Sequence, residues 1–119
     1  MRITFSEATP GTVYKALRDD VAHPFVTIAD GPGYEEVHRD GDPEGRGGVI
    51  LIERLDEQFL PTWHERRRQF STQRGYLGSR LLRGEPDFVG IVRWSSPLMH
   101  FRATRQLDTP FTSALYLSG

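Results

Sequence analysis

The segment GVILIERLDEQFLPTWHERRRQFSTQRGYLGSRLLRGEPDFVGIVRW, residues 48–94, decides the fold of this chain. It opens with Val49–Leu55, a nearly continuous aliphatic run that is typical of a strand buried on both faces. Asp56 is placed to cap a following helix, which the pattern predicts from about Glu57 to Gln73. Gly75 then supplies the conformational freedom that a helix end requires.

The helix has one apolar stripe, which indicates the side that packs on the sheet. Phe59, Trp63 and Phe70 recur at helical spacing, with Leu60 and Arg67 beside them. Trp63 is predicted to point inward and its neighbour His64 outward. The cluster Arg66–Arg68 is predicted to lie largely on the solvated face. Pro61 falls in the first turn, where its missing N–H is not needed.

The rest of this half of the chain completes a ferredoxin-like unit. Tyr76–Arg83 and Asp87–Trp94 form a hairpin across a Gly-Glu-Pro turn. Ser95–Arg105 opens with Ser-Ser-Pro, a cap followed by proline in the first turn, and predicts a second helix. Ser113–Leu117 is a last short strand. The predicted class is therefore α+β, in the order β-α-β-β-α-β.

The first 47 residues are predicted to be an N-terminal β-hairpin extension, with residues 48–119 as the ferredoxin-like domain and one compact unit overall. Strands are predicted at Gly11–Asp19 and Pro24–Asp30, with a turn between them and a short helix within Gly31–Arg39. The Gly-, Asp- and Pro-rich stretch Asp40–Gly48 predicts an exposed or mobile loop. KALRDDVAHPFVTIAD also resembles the later SRLLRGEPDFVGIVRW. This similarity is either chance or the trace of a second half-unit that adds strands to the sheet.

Composition excludes several classes of function. A chain of 119 residues fits one domain, and its formal net charge of −1 gives no electrostatic basis for binding nucleic acid. The absence of cysteine excludes disulfides and thiolate catalysis. No apolar run reaches membrane-spanning length and the start lacks the apolar core of a signal peptide, so a cytoplasmic protein without membrane contact is expected.

Two motifs resemble the antibiotic biosynthesis monooxygenase family of dimeric α/β barrels. One is the Gly-Tyr-Leu-Gly step at residues 75–78, and the other is the hairpin that ends in Trp-Ser-Ser at residues 94–96. The strand around Tyr116 also fits, and the resemblance covers about residues 48–118. It implies a homodimer that pairs its sheets into a barrel, with a pocket between each sheet and its helices. Family members oxidise aromatic polyketide-type phenols with dioxygen and without metal or bound flavin.

The resemblance places candidate residues on this chain one by one. Trp94 matches the pocket Trp of these oxygenases, while Gly90 and Leu81 stand where they carry Asn and Tyr, and His100 stands where a Tyr occurs. The haem-degrading relatives need an Asn on the first strand, where Glu53 lies nearby, and an axial His at a different spacing from His100. Haem cleavage is therefore not expected.

The alternation of the hairpin strand sets the predicted pocket. Phe88, Gly90, Val92 and Trp94 share one face, and the resemblance makes it the pocket face. Gly90 either leaves room for a flat ring or lets the helix pack closely. The predicted catalytic residues are His100, an acid/base candidate, and Trp94. The predicted substrate-binding residues are Trp63, Phe88, Gly90, Val92, Leu81 and Glu53.

Glu53 interrupts an aliphatic strand, so it is predicted either to face water at a strand end or to pair with an arginine such as Arg80 or Arg93. The histidines show no H-x-H or H-E-x-x-H spacing, so no metal is predicted, and no cofactor either. The expected function is a cofactor-independent monooxygenase of secondary metabolism acting on a small aromatic polyketide-type substrate. A cyclase or isomerase, or a non-catalytic small-molecule-binding protein, remains open on the same fold.

Overall fold

The computed structural model describes residues 2–6, 14–16, 25–29, 33–44, 47–85, 87–105 and 112–118. Its helices are α1 (Leu60–Ser71), preceded by a 3-10 turn at Glu57–Phe59, and α2 (Pro97–Thr104). Its strands are β1 (Arg2–Ser6), β2 (Tyr14–Ala16), β3 (Phe25–Ala29), β4 (Glu35–Gly41), β5 (Val49–Leu55), β6 (Tyr76–Arg83), β7 (Phe88–Trp94) and β8 (Thr112–Ser118).

All of these strands form one eight-stranded antiparallel sheet in the order β1-β3-β2-β8-β5-β7-β6-β4. The middle of this order, β8-β5-β7-β6, is the ferredoxin-like arrangement that the sequence predicts, and α1 and α2 are its crossover helices. The α+β class is confirmed. Strands that precede residue 47 lengthen the sheet at both edges.

The caps show why the helices begin and end where they do. Asp56 precedes the 3-10 turn in extended conformation but makes no side-chain capping hydrogen bond, and Pro61 lies in the first turn of α1. Gly75 has φ +91°, a conformation that favours glycine, and it ends the connection to β6 as predicted. At α2 the Ser96 hydroxyl accepts a hydrogen bond from the backbone N–H of Met99 at 3.3 Å.

The predicted helix within Gly31–Arg39 is wrong. The chain from Glu35 to Gly41 is the edge strand β4, paired with β6 across a bulge between Glu36 and His38. Its side chains are mostly exposed and charged, which suits an edge strand, so the apolar alternation that would mark a strand is missing. Pairing with β6 overrides the local preference.

Other N-terminal predictions are partly tested. The strand predicted at Pro24–Asp30 is confirmed as β3, with Val26 and Ile28 on one face, and β2 lies within the predicted Gly11–Asp19. Strand β1, in which Ile3 and Phe5 alternate with polar residues, was not predicted. The turn at residues 19–23 lies outside the described residues.

Each face of the sheet has its own core. Under the helices lie Val49, Leu51, Leu55, Trp63, Phe70, Leu81, Val92 and Trp94. On the other face lie Val26, Ile50, Ile52, Leu82, Val89, Ile91 and Tyr116. The second cluster is buried within a single chain, with Ile3, Ile28 and Tyr34 packed against it. The homodimer implied by the resemblance stays a prediction, because a single chain does not test it.

Candidate active site

Trp94 is the centre of an aromatic cluster between the sheet and the helices. Its side chain is fully buried, and its ring lies edge-on to Phe70, Tyr76 and His100 at centroid distances of 5.5, 5.8 and 6.0 Å. These geometries are the ones that aromatic pairs prefer. The cluster joins β7, α1, β6 and α2 at one point, which is where the resemblance implies the pocket.

His100 reaches this cluster from α2 and is 8% exposed. Burial lowers the pKa of His100 to about 4, and the positive charge of Arg66 acts in the same direction. The imidazole is therefore neutral at pH 7. The Nδ1 of His100 and the Nε1 of Trp94 are both buried without a hydrogen-bond partner within the described residues.

Glu53 is buried and forms an ion pair with Arg66 of α1 at 2.6 Å. The prediction that Glu53 pairs with an arginine is confirmed, but the suggested partners Arg80 and Arg93 are wrong. Both project from the opposite face of the sheet, while Glu53 shares the face of the helices. Burial raises the pKa of Glu53, and Arg66 and the Trp63 indole N–H oppose that shift. Arg66 does not lie on the solvated face as predicted, since it is only 6% exposed.

The space above Gly90 is filled by the protein itself. A Cβ atom at this position would overlap the indole nitrogen of Trp63. Trp63 is 1% exposed and points inward as predicted, and His64 is half-buried. Gly90 therefore lets the helix pack closely, and the interpretation that it leaves room for a substrate ring is wrong.

The remaining predicted substrate-binding residues form the walls of this packed region. Leu81 and Val92 are buried under the helices, and Phe88 is partly buried against the same core. Their face is the predicted one. They stand beneath Trp63 and contribute to helix–sheet packing, with the aromatic cluster of Trp94 at the other end of the interface.

A polar cluster around Asp40 was not predicted. Asp40 accepts hydrogen bonds from the hydroxyls of Tyr76 and Ser79, and it pairs with Arg67 at 2.5 Å. Burial raises the pKa of Asp40, but its partners outweigh burial and the net shift is downward. The interpretation of residues 40–48 as a loop placed Asp40 outside the strand, so its contact with the hairpin was missed. Burial raises the pKa of Tyr76 to about 12, and the hydrogen bond to Asp40 acts in the same direction.

His38 extends this polar cluster toward α1. Its ring lies 5.5 Å from that of His64 and 6.1 Å from that of Trp63. Burial lowers the pKa of His64, and the charges of His38, Arg67 and Arg68 lower it further. Within the described ranges, no group of three or more histidine or carboxylate side chains is arranged to hold a metal ion.

An open cavity of about 440 Å³ lies between the C-terminal ends of α1 and α2. It is lined by Gln69, Phe70, Thr72, Gln73, Arg102, Ala103 and Arg105. Phe70 also contacts Trp94, so the cavity adjoins the aromatic cluster. The volume falls in the range of roughly 300–1,000 Å³ that is usual for ligand pockets. Sequence patterns gave no signal for it, because its lining joins two helix ends that are far apart in the chain.

Comparison with solved structures supports the resemblance at the level of the fold. A heme-degrading enzyme from Listeria monocytogenes superposes with a TM-score of 0.56 at 16% identity, covering 98% of this chain and 97% of that one. A ferredoxin-fold protein related to antibiotic biosynthesis monooxygenases, from Listeria monocytogenes 4b F2365, gives 0.56 at 13% identity, covering 98% and 92%. The chain has a monooxygenase-like fold.

That fold also occurs in a protein described as a major regulator of staphylococcal pathogenesis, with a TM-score of 0.57 at 10% identity and coverage of 91% and 85%. At such identities the likeness shows the fold and leaves the chemistry to the site. No protein-family model and no curated protein matches the sequence. None of the helices in the described ranges is long and apolar enough to cross a membrane.

Proposed function

We propose that this protein binds a small aromatic compound between its helices and its sheet and oxidises it with dioxygen as a cofactor-independent monooxygenase. The substrate class is an electron-rich, polyketide-type phenol of secondary metabolism. Trp94 and His100 are the residues assigned to the reaction. The monooxygenase-like fold supports the general class, and the aromatic cluster supports the position of the site.

One observation carries the proposal, namely the pair of unpartnered polar atoms at Trp94 Nε1 and His100 Nδ1. Leaving a buried polar atom without a hydrogen bond costs about 1–3 kcal/mol, so two such atoms on facing elements need an explanation. A bound phenol hydroxyl supplies it, because a hydroxyl can donate to one nitrogen and accept from the other. The cavity adjoins the cluster at Phe70, which lines the cavity and contacts Trp94, so a compound bound there would lie next to the cluster.

The proposed reaction needs one proton acceptor from the protein. A ring CH₂ group and dioxygen become a ring carbonyl and water, so one oxygen atom enters the substrate and the other leaves as water. The electrons come from the substrate anion. His100 is neutral at pH 7 and can accept the substrate proton at Nδ1. Once the proton has moved, the substrate anion stabilises the neighbouring imidazolium, because an opposite charge nearby raises the pKa of a histidine.

A second candidate is a non-catalytic small-molecule-binding protein on the same fold. The specific observation in its favour is that Trp63 covers Gly90 and that Leu81 is buried beneath the helices. These are the positions where the resembling oxygenases carry polar side chains. A cyclase that uses the same cluster without dioxygen is a further catalytic alternative, and product analysis separates it from an oxygenase.

Dioxygen uptake with anthrone as substrate, from pH 6 to 9, tests the proposal. We expect uptake of dioxygen by the wild type in equal amount to the carbonyl product, and a loss of about 10²-fold or more in His100→Ala. Trp94→Phe keeps the ring but removes the N–H, so it should lower the rate less. His64→Ala is the matched control, since His64 is half-buried outside the cluster, and it should keep wild-type activity.

Anthrone binding by calorimetry, measured in parallel, separates the candidates. Binding without uptake or turnover across the pH range contradicts the oxygenase and favours the binding protein. Turnover without uptake identifies the cyclase. Equal activity of wild type and His100→Ala would remove His100 from the reaction.

A further inference from the structure

We infer that the ligand is an aromatic anion whose negative group is held by Arg102 and Arg105 in the cavity between the helix ends. This inference rests on the proposed function, because it names the charge class of the compound that the same site takes. In the proposed pose, the aromatic part of the ligand lies against Phe70, at the inner end of the cavity, and points toward Trp94. The anionic group lies nearer the surface.

The first observation is that Arg102 and Arg105 make no ion pair within the described part of the chain. Among arginines whose side chains the structure describes, this is uncommon, and only Arg74 shares it. The others pair with carboxylates, and they are Arg39, Arg54, Arg66, Arg67, Arg68, Arg80, Arg83 and Arg93. Two guanidinium groups that have no carboxylate partner among the described residues therefore line the same cavity, in a chain of net charge −1.

The second observation is the charge of the cavity wall. Among the described residues its lining contains two arginines and no carboxylate, and its other polar side chains are Gln69, Thr72 and Gln73. The C-terminal ends of α1 and α2 also face this region, and each contributes at most about half a negative charge. Two full positive charges exceed that contribution. The wall is therefore net positive and favours an anion over a cation.

The third observation is that the cavity has an apolar inner end. Phe70 is 1% exposed and its ring contacts that of Trp94, while Ala103 adds a small apolar surface one turn beyond His100. An apolar floor below two neighbouring cations matches a flat ring that carries a carboxylate or a phenolate. The planar guanidinium groups can bind either anion through charge-assisted hydrogen bonds, and the glutamines can complete the shell.

The test compares 2-naphthoate with 2-naphthamide, two probes of the same shape that differ in charge. Affinities for the whole protein are measured by calorimetry at pH 7 and low ionic strength. We expect naphthoate to bind roughly tenfold or more tightly than naphthamide, as charge-assisted hydrogen bonds imply. That preference should disappear in the double variant Arg102→Gln/Arg105→Gln. Arg74→Gln is the control, because Arg74 is also unpaired among the described residues but does not line the cavity.

Each outcome decides one question. A loss of the preference in the double variant, with retention in Arg74→Gln, supports the inference. Equal binding of the two probes by the wild type overturns it, and so does a loss of equal size in Arg74→Gln. Failure of the inference leaves the proposed function standing if anthrone, which is added as a neutral compound, still drives dioxygen uptake. If anthrone drives no dioxygen uptake but naphthoate still binds preferentially, the oxygenase proposal is contradicted and the anion site is retained.

Discussion

The face of the sheet under the helices and the opposite face are built from the same strands but bury different chemistry. Under the helices, aliphatic residues share the interior with Glu53, Arg66, His100 and the indoles of Trp63 and Trp94. The buried cluster of the opposite face is aliphatic apart from Tyr116. Two buried arginines, Arg80 and Arg93, also project from that face, where they pair with Glu44 and Asp42. Because successive residues of a strand point to opposite faces, a single strand can serve both sides. Strand β5 supplies Glu53 to the helix face and Ile52 to the opposite face.

This difference separates stability from function. The opposite face gains most of its stabilisation from burying aliphatic surface, which needs no partner of defined geometry, and its two buried arginines are paired with carboxylates. The helix face holds ionisable groups in an apolar environment, which is unfavourable unless each is paired or neutral. Buried polar groups that the fold does not require are where a site is expected. The following variants test that division, in order of decreasing effect.

The largest effect is expected for Arg66→Met. The substitution keeps an unbranched apolar stem but removes the guanidinium, which leaves Glu53 buried without its ion-pair partner. Removing one partner of a buried pair typically costs about 3–5 kcal/mol in the free energy of unfolding. Urea denaturation at pH 7 measures this change.

Arg68→Met is the matched control, because Arg68 pairs with Glu65 on the exposed surface of the same helix and should change stability by less than about 1 kcal/mol. Adding Glu53→Gln to Arg66→Met should recover part of the loss, since the uncompensated charge is then removed. Equal effects of Arg66→Met and Arg68→Met would contradict the assignment of the buried pair.

The second prediction concerns acid pH and His100. Its pKa is about 4 in the folded chain and about 6.5 when unfolded. Between these values the unfolded chain binds the extra proton, so stability is fully present above pH 6.5 and falls as the pH drops toward 4. The contribution that is lost amounts to about 3 kcal/mol, at about 1.4 kcal/mol for each unit of difference between the two pKa values.

His100→Asn should remove this contribution to the pH dependence, and the difference from wild type cancels the acid titration of the carboxylates. His64→Asn is the control and should retain the His100 component. An NMR titration of the His100 imidazole measures the pKa directly. A midpoint near 6.5 would mean that the ring is solvated and would remove the buried neutral base from the helix face.

The third prediction is that Gly90→Ala destabilises the chain by about 1–3 kcal/mol, as overpacking of a core does. The new methyl group would overlap the Trp63 indole, which is buried between α1 and the sheet and must shift to make space. Combining Gly90→Ala with Trp63→Leu should give a smaller loss than the sum of the two single changes. Additive losses, measured by urea denaturation, would show that the methyl group and the indole do not meet.

Much of the fold follows from the sequence where pattern and local chemistry agree. The aliphatic run of β5, the proline after Ser96 and the glycine at position 75 each act within a few residues, and each is where it was predicted. Strand β4 was missed because its stability comes from pairing with β6, which no local pattern reveals. The site was only partly predicted, because it too depends on contacts that no local pattern reveals.

Trp94 and His100 could be placed by face and by resemblance, but the partner of Glu53 could not. That choice depends on which side of the sheet each arginine reaches, and Arg66 reaches Glu53 from a helix rather than a strand. Helical spacing held a signal, because Arg66 follows Trp63 by three residues and so lies beside it on the buried side. The cavity between the helix ends is set by how two helices diverge, which sequence spacing does not encode.

The smallest effect is expected on the opposite face, for Ile50→Val. Ile50 is 1% exposed in the aliphatic core, and removing one methylene there should lower the free energy of unfolding by about 0.5–1.5 kcal/mol. The substitution keeps the β-branched shape, so the strand is not disturbed. Because Ile50 and its neighbours point away from the helices, the pKa of His100 and the affinity for 2-naphthoate should equal those of the wild type. Calorimetry and the imidazole titration check both, and a shift in either would show that the faces are coupled through β5 and that the separation between them is incomplete.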